Sequence, residues 1–355
     1  MTLILPHIER LTPYALGDLP PEGSAAIKLN QNESPYPPSP LVLEALRTLG
    51  EEELRRYPDA RCMQLRAALS QLHGVKDEQI FCGNGSSEII SLIVKGFIGP
   101  NRRLALPDPS FSLYHTVAAS YQASSIAVPT RNDYTVDPGL LMDSGADAIV
   151  LVNPNAPTGH LLPLEEVERL VNRFPGLVVI DEAYIDFADP NATAIPLVDR
   201  YPNVIVVRTF SKAYALCGAR VGYCIAAEPL IAALEKSKDI YNINAISRKL
   251  ALAALEDREY TMRTVAAVKA TRDGFIAELR SLGFDVIPSQ TNFVLCTPPA
   301  GAGQPDARAW YQSLLERNIY VRHFEHPRLA DKLRISIGTD EEMAAVTAVL
   351  RALLA

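Results

Sequence analysis

The chain has 355 residues, 48% of them hydrophobic and 21% charged, enough apolar material for one large core or two unequal ones. Its 34 basic against 41 acidic side chains leave a net charge of -7, which gives a polyanion such as nucleic acid no reason to bind. No run approaches the length of a membrane span, so the expectation is a soluble, cytoplasmic protein of two lobes, with neither nucleic acid nor membrane as partner.

At the start of the chain, "MTLILPHIERLTPY" places Pro6 and Glu9 where a signal peptide would need an unbroken apolar segment. The five cysteines, Cys62, Cys82, Cys217, Cys224 and Cys296, are odd in number. None forms a Cys-x-x-Cys pair or stands beside a histidine at metal spacing, so reduced, mostly buried thiols and no metal are expected.

Further on, "IFCGNGSSEIISLIVKGF" runs from a short strand through Gly83 and Gly85 into an amphipathic helix with Ser86 and Ser87 in its first turn. Free backbone N–H groups at a helix start, approached closely through glycine, suit a phosphate. A dinucleotide fingerprint fails here because Glu88 stands at the third glycine, and a plain tight turn remains the simpler alternative.

The middle of the chain repeats one pattern. "DAIVLV" (147–152), "GLVVI" (176–180) and "NVIVV" (203–207) are short, β-branched, nearly all apolar runs, as expected of parallel strands buried on both faces. Helical periodicity, as in "LPLEEVERLVNRF", separates the first two, which makes an α/β sheet. After these strands come "NPNAPTG" with Asn153, "DEAY" with Asp181 and Tyr184, and "RTFSK" with Thr209, Ser211 and Lys212. The carboxyl ends of parallel strands share one edge, where ligands bind, so an amide, a carboxylate, a phenol and an amine are expected to face one pocket. Asp181 alone could be a helix cap and Asn153 alone a turn former; their order after consecutive strands favours the pocket.

Residues 244–283 read as a long helical stretch with few breakers. "FDVIPSQTNFVLC", "DARAWYQSLLERN", "IYVRHF", "LRISIGT" and "DEEMAAVTAVLRALLA" then give strand, helix, two strands and a terminal helix, a smaller α+β unit, with "PPAGAGQPD" (298–306) a loop inside it. Arg322 and Arg334 stand on apolar strand patterns, where an unpaired guanidinium is costly to bury.

A phosphate nest, a carboxylate, a phenol and an amine together suit pyridoxal 5'-phosphate, whose aldehyde condenses with a lysine and whose ring nitrogen needs a carboxylate to remain protonated. "LNQNESPYPPSP", "RRYPD", "NPNAPTG", "DEAYIDF", "RTFSKAYALCGARVGY" and "LRISIGT", in this order along nearly the whole chain, resemble the signatures of fold-type I pyridoxal-phosphate aminotransferases, and specifically of histidinol-phosphate aminotransferases.

The resemblance implies an N-terminal arm (1–35), a large domain with a mostly parallel central sheet (36–245) and a small C-terminal α+β domain (246–355). It implies that Lys212 carries the cofactor and shuttles the proton, that Asp181 meets the pyridine nitrogen, and that Tyr184 and Asn153 hold the ring hydroxyl. Gly85, Ser86, Thr209, Ser211 and Arg220 match the phosphate cradle, Phe111 of "DPSFSLYHT" the ring-stacking position, and Tyr57 a residue reaching the phosphate in the neighbouring subunit of a homodimer. Tyr14, Asn32, Arg322 and Arg334 match the substrate side.

Departures from the family pattern are Ala156 for a common asparagine, Cys217 and Ala219 for Ala and Leu, and Phe111 for tyrosine. The implied reaction is transamination of L-histidinol phosphate with 2-oxoglutarate, giving imidazole acetol phosphate and glutamate in histidine biosynthesis. Aromatic-amino-acid aminotransferases and threonine-phosphate decarboxylases share most of these motifs. A non-enzymatic binding module finds no helix-turn-helix and no dinucleotide fingerprint to support it.

Overall fold

A computed structural model of the chain describes residues 3–299 and 306–354. Its strands, in chain order, are β1 (Ile27–Lys28), β2 (Ile80–Gly83), β3 (Arg103–Asp108), β4 (Ser124–Pro129), β5 (Ala148–Val152), β6 (Leu177–Asp181), β7 (Val204–Thr209), β8 (Gly222–Ala226), β9 (Asp285–Val286), β10 (Phe293–Thr297), β11 (Ile319–Tyr320), β12 (Arg322–His323) and β13 (Leu333–Ser336).

β2 to β8 form one sheet in the order β2-β8-β7-β6-β5-β3-β4. Pairing is parallel from β7 through β6, β5 and β3 to β4, and antiparallel where β8 meets β2 and β7. The three apolar runs of the sequence are its centre: β5 and β7 are buried along their whole length, as strands covered on both faces must be. Val152 pairs with Asp181 and Asp181 with Val207, so the strand ends that lead into the polar loops lie side by side.

The smaller sheet runs β12-β13-β10-β9 and is antiparallel throughout. "IYVRHF" reads as one strand in the sequence but divides at Val321. Ile319–Tyr320 pairs in parallel with Ile27–Lys28 of the N-terminal segment, while Arg322–His323 joins β13. This split ties the N-terminal arm to the smaller sheet and brings the arm's next residues over the end of β13.

The long helical stretch likewise divides, into Ala245–Glu256 and Arg258–Ser281. Asp257 leaves helical geometry, and its carboxylate accepts the N–H of Tyr260, so a side chain that reads as one more surface charge starts a new helix. Trp310, fully buried against Phe284, anchors the helix Ala307–Leu315 over the smaller sheet. Of the loop expected at 298–306, residues 300–305 lie outside the described residues.

Cys62, Cys82, Cys224 and Cys296 are buried free thiols, and Cys217 is half-buried. Among the described residues no helix is long and apolar enough to cross a membrane, and no group of three or more His, Cys, Asp or Glu side chains is arranged to hold a metal ion.

Candidate active site

The end of the large sheet and the edge of the smaller one enclose a cleft of about 330 Å³. Lys212, Asp181 and Tyr184 reach it from the loops after β7 and β6, Ser86 from a helix start, and Arg334 from β13. Segments 181 residues apart in sequence meet here: the Lys212 amine donates to the carbonyl of Gln31 at 3.0 Å.

Asp181 is fully buried. Its Oδ2 accepts the Tyr114 hydroxyl at 2.9 Å and its Oδ1 the Ala183 N–H at 3.1 Å. Burial pushes its carboxyl up to about 6, against the pull of those two donors. Such a carboxyl gains much from a cationic partner, because pairing offsets the loss of water around its charge. Burial, with Arg334 nearby, lowers Lys212 to about 8, so a larger share of this amine is unprotonated at neutral pH than of an ordinary lysine. Its Nζ lies 5.8 Å from the centre of the Tyr184 ring.

The Tyr184 hydroxyl accepts from Asn32 Nδ2 at 3.0 Å. Asn32 is held in turn: Ser336 Oγ donates to its Oδ1 at 2.9 Å, and Asn292 Nδ2 donates to its carbonyl at 3.0 Å. Asn32 has a φ of 56°, a left-handed conformation that asparagine tolerates better than most residues. A four-residue polar chain therefore sets where the phenol points.

Ser86, Thr209, Ser211 and Arg220 line one part of the cleft, a set of hydroxyls and a guanidinium whose chemistry suits an oxyanion. Thr209 Oγ1 accepts the Ser211 N–H at 3.0 Å, and Arg220 donates to the Cys217 carbonyl at 3.1 Å. The helix Gly85–Ile93 opens here, with the unpaired N–H groups of its first turn available to an anion. Two glycines matter here, Gly222 through backbone contact and Gly85 chiefly through its left-handed backbone. A Cβ on Gly222 would stand 2.5 Å from Ser86 N, and one on Gly85, whose φ is +75°, would stand 2.5 Å from Arg220 Nη2. The sequence singles out Gly85 but not Gly222.

On the opposite wall, Arg334 Nη2 donates to the Asn30 carbonyl at 2.6 Å, while its buried Nε has no partner. Arg322 donates to the Ala15 carbonyl at 2.8 Å. The arm crosses Arg322 so closely that a Cβ on Gly17 would lie 1.8 Å from its Nη1. Tyr14, from the same arm, meets the Phe111 ring edge-on at 6.1 Å.

Two of the residues singled out in the sequence lie elsewhere. Asn153 does not line the cleft. Its Oδ1 accepts the Leu162 N–H at 2.8 Å and its Nδ2 donates to the Leu162 carbonyl at 3.0 Å, so the amide closes its own loop. Ala156 and Pro157 of the same loop face the cleft instead. Tyr57 is 81% exposed and stacks on Tyr241 with ring centres 4.4 Å apart, outside this chain's cleft. Conversely, Tyr114 and Phe324 belong to the site and were missed. "DPSFSLYHT" and "IYVRHF" display both rings, but only the fold shows that Tyr114 reaches Asp181 and that Phe324 lines the cleft.

The site's donor set fits pyridoxal 5'-phosphate: an amine of lowered basicity, a buried carboxylate suited to a cationic ring nitrogen, a positioned phenol and a separate oxyanion cradle shaped by two glycines. Residues 24–350 match the model of the class I and II aminotransferases. The chain is 40% identical to histidinol-phosphate aminotransferase 1 of Nostoc sp. over 98% of its own length and 97% of that protein's.

The chain belongs to the histidinol-phosphate aminotransferases, within the class I and II aminotransferase family.

Histidinol-phosphate aminotransferase 2 of Rhizobium meliloti is 44% identical over 97% of both chains. The crystal structure of histidinol-phosphate aminotransferase from Sinorhizobium meliloti, solved in complex with pyridoxal-5'-phosphate, superposes on this aminotransferase with a TM-score of 0.91 at 28% identity, covering 100% of this chain and 98% of that one. The fold-type I architecture implied by the motifs is therefore the architecture of this aminotransferase.

Proposed function

We propose that this aminotransferase uses pyridoxal 5'-phosphate, held by Lys212, to move the amino group of L-histidinol phosphate to 2-oxoglutarate, working as a cytoplasmic homodimer in histidine biosynthesis. The observation that carries the reading is the meeting of Lys212, Asp181 and Tyr184 beside one oxyanion cradle, with a second cationic wall formed by Arg322 and Arg334 opposite. Two separate anion sites suit a phosphorylated cofactor and an anionic substrate in the same cleft.

When bound, the cofactor supplies an electron sink for the carbon that bears the substrate amine. Asp181 would keep a proton on the ring nitrogen through ion pairing, Tyr184 would donate its phenol to the ring hydroxyl, and Phe111 would cover the ring. Ser86, Thr209, Ser211 and Arg220 would hold the cofactor phosphate. Arg334, with Arg322 beside it, holds the substrate's phosphate in the first half-reaction and a carboxylate of 2-oxoglutarate in the second. Lys212 would hold the cofactor, and its Nζ, lowered in basicity by burial, would be the base in the cleft that takes up and returns the proton of the substrate's amine-bearing carbon.

Borohydride reduction of the holoenzyme followed by peptide mapping should label Lys212. Steady-state rates with histidinol phosphate, phenylalanine, tyrosine and threonine phosphate, each with and without 2-oxoglutarate, test the substrate assignment. Release of carbon dioxide from threonine phosphate, independent of the oxo acid, would overturn it in favour of a decarboxylase.

A further inference from the structure

The carboxylate at the bottom of the cleft is held from behind by a residue that touches neither the cradle nor the cationic wall. Tyr114 lies in the helix Leu113–Ser120, at the far end of the loop that carries Phe111, and is 1% exposed. Its hydroxyl donates to Asp181 Oδ2 at 2.9 Å, the one side-chain donor that Asp181 has among the described residues. Its ring meets Phe111 edge-on, with centres 6.2 Å apart. The same side chain thus touches both the carboxylate and the ring that would cover the cofactor.

We propose that Tyr114 is a positioning residue for the cofactor: its hydroxyl aims the Asp181 carboxylate and keeps it ionised before the cofactor arrives. This rests on the reading that Asp181 meets the pyridine nitrogen.

Without that donor, Oδ2 would be a buried anionic oxygen with no hydrogen bond, a state avoided by taking up a proton. Neighbouring charge offers no substitute. The titratable groups facing Asp181 are Tyr114 from the helix, and Glu182 and Tyr184 from its own loop. Glu182 acts to raise the Asp181 carboxyl, and it is itself tied to Arg208 of β7 at 2.8 Å. Arg208 is thereby committed to a different carboxylate. The hydroxyl of Tyr114 and the N–H of Ala183 are left as the groups that favour the charged form.

The sign follows from which form binds. Only ionised Asp181 pairs with a protonated ring nitrogen, so raising its pKa moves the loss of cofactor affinity to higher pH. Tyr114→Phe keeps the buried ring and its contact with Phe111 and deletes only the donor. In cofactor-free enzyme carrying 13C-labelled aspartate carboxyls, the Asp181 resonance, assigned by its absence in Asp181→Asn, should titrate about one pH unit higher in Tyr114→Phe than in the unmodified chain. Titration of pyridoxal 5'-phosphate into the same proteins should show the acid limb of the affinity profile displaced by the same interval, with a fall in affinity of up to about tenfold on that limb. Unchanged Asp181 titration and unchanged affinity in a Tyr114→Phe protein of undiminished melting temperature would overturn the role of Tyr114. If Asp181→Asn itself bound the cofactor as tightly as the unmodified chain, the reading of Asp181 would fall first, whatever Tyr114→Phe did.

Discussion

Arg322 and Arg334 are Cα partners across the β12–β13 pair, and their guanidinium carbons lie 5.4 and 5.6 Å from the centre of the same ring, Phe324. Two like charges tolerate this spacing because the aromatic face attracts both and because each donates to a main-chain carbonyl. An anion in the cleft that both residues line meets two guanidiniums.

Arg334→Lys should therefore weaken both half-reactions. Lysine keeps a charge but lacks the planar fork that grips phosphate and carboxylate alike. A lost charge-assisted contact of this kind costs about 2–5 kcal/mol, readily seen in rates. The absorbance of the bound cofactor should hardly change, because its phosphate has its own cradle. Pre-steady-state kinetics check this: if the histidinol-phosphate step were unchanged and only the 2-oxoglutarate step slowed, Arg334 would serve the carboxylate alone and Arg322 would become the candidate for phosphate.

Lys212 has a folded-state pKa lowered to about 8, chiefly by burial and next by Arg334. The nucleophile is the unprotonated amine, so capture of pyridoxal 5'-phosphate by cofactor-free enzyme should quicken about tenfold per pH unit below 8 and level off above it. Stopped-flow absorbance after mixing gives this profile. Arg334→Met removes a positive neighbour and should move the break to higher pH. A break near the ordinary lysine range in the unmodified enzyme would mean that Lys212 is better solvated than its surroundings indicate.

Asn153→Ala separates a loop brace from a cofactor ligand. Asn153 is 2% exposed and satisfies both polar groups of Leu162, so its loss should lower stability by about 1–3 kcal/mol through unpaired buried groups. Affinity for pyridoxal 5'-phosphate should stay within about threefold, an effect below roughly 1 kcal/mol. Denaturant unfolding and cofactor titration of the same variant measure the two quantities independently. A large loss of affinity with full stability would restore the role read for Asn153 in the sequence.

The central sheet was legible because β5, β6 and β7 are continuous apolar runs, and burial on both faces leaves little else that such runs can form. Placing Lys212 and Asp181 at one edge followed from strand polarity alone. Asn153 shows where that reasoning stops. Strand polarity fixes where a loop begins, but which of its side chains turns inward depends on local hydrogen bonds, here to Leu162, nine residues away. Tyr114 and Phe324 were hidden for a related reason. An aromatic residue in an apolar stretch has the same pattern whether it packs in a core or braces a charged group. The division of "IYVRHF" at Val321 depends on the N-terminal arm pairing with Ile319–Tyr320, a contact across almost 300 residues that no local pattern contains.

Tyr57 decides whether the active site needs a second subunit. Its ring is 81% exposed, stacked on Tyr241 at 4.4 Å, with Leu54 and Ile240 also exposed, and its phenol takes no part in this chain's cleft. An exposed group of large apolar side chains of this kind is more stable when covered. In the proposed homodimer, Tyr57 would reach the other copy's cofactor phosphate. Mixing Tyr57→Phe with Lys212→Ala tests this directly. If the proposed homodimer shares its sites in this way, each parent carries one defect in both of its sites, whereas the mixed dimer has one site with both defects and one with both native residues. Activity should therefore rise on subunit exchange, toward one native site per mixed dimer, and the restored site should bind pyridoxal 5'-phosphate as tightly as the unmodified enzyme. Were Tyr57 to serve its own chain's site, every site in the mixture would keep a single defect. Subunit exchange, verified by native mass spectrometry, would then leave activity at the sum of the parents and refute the shared site.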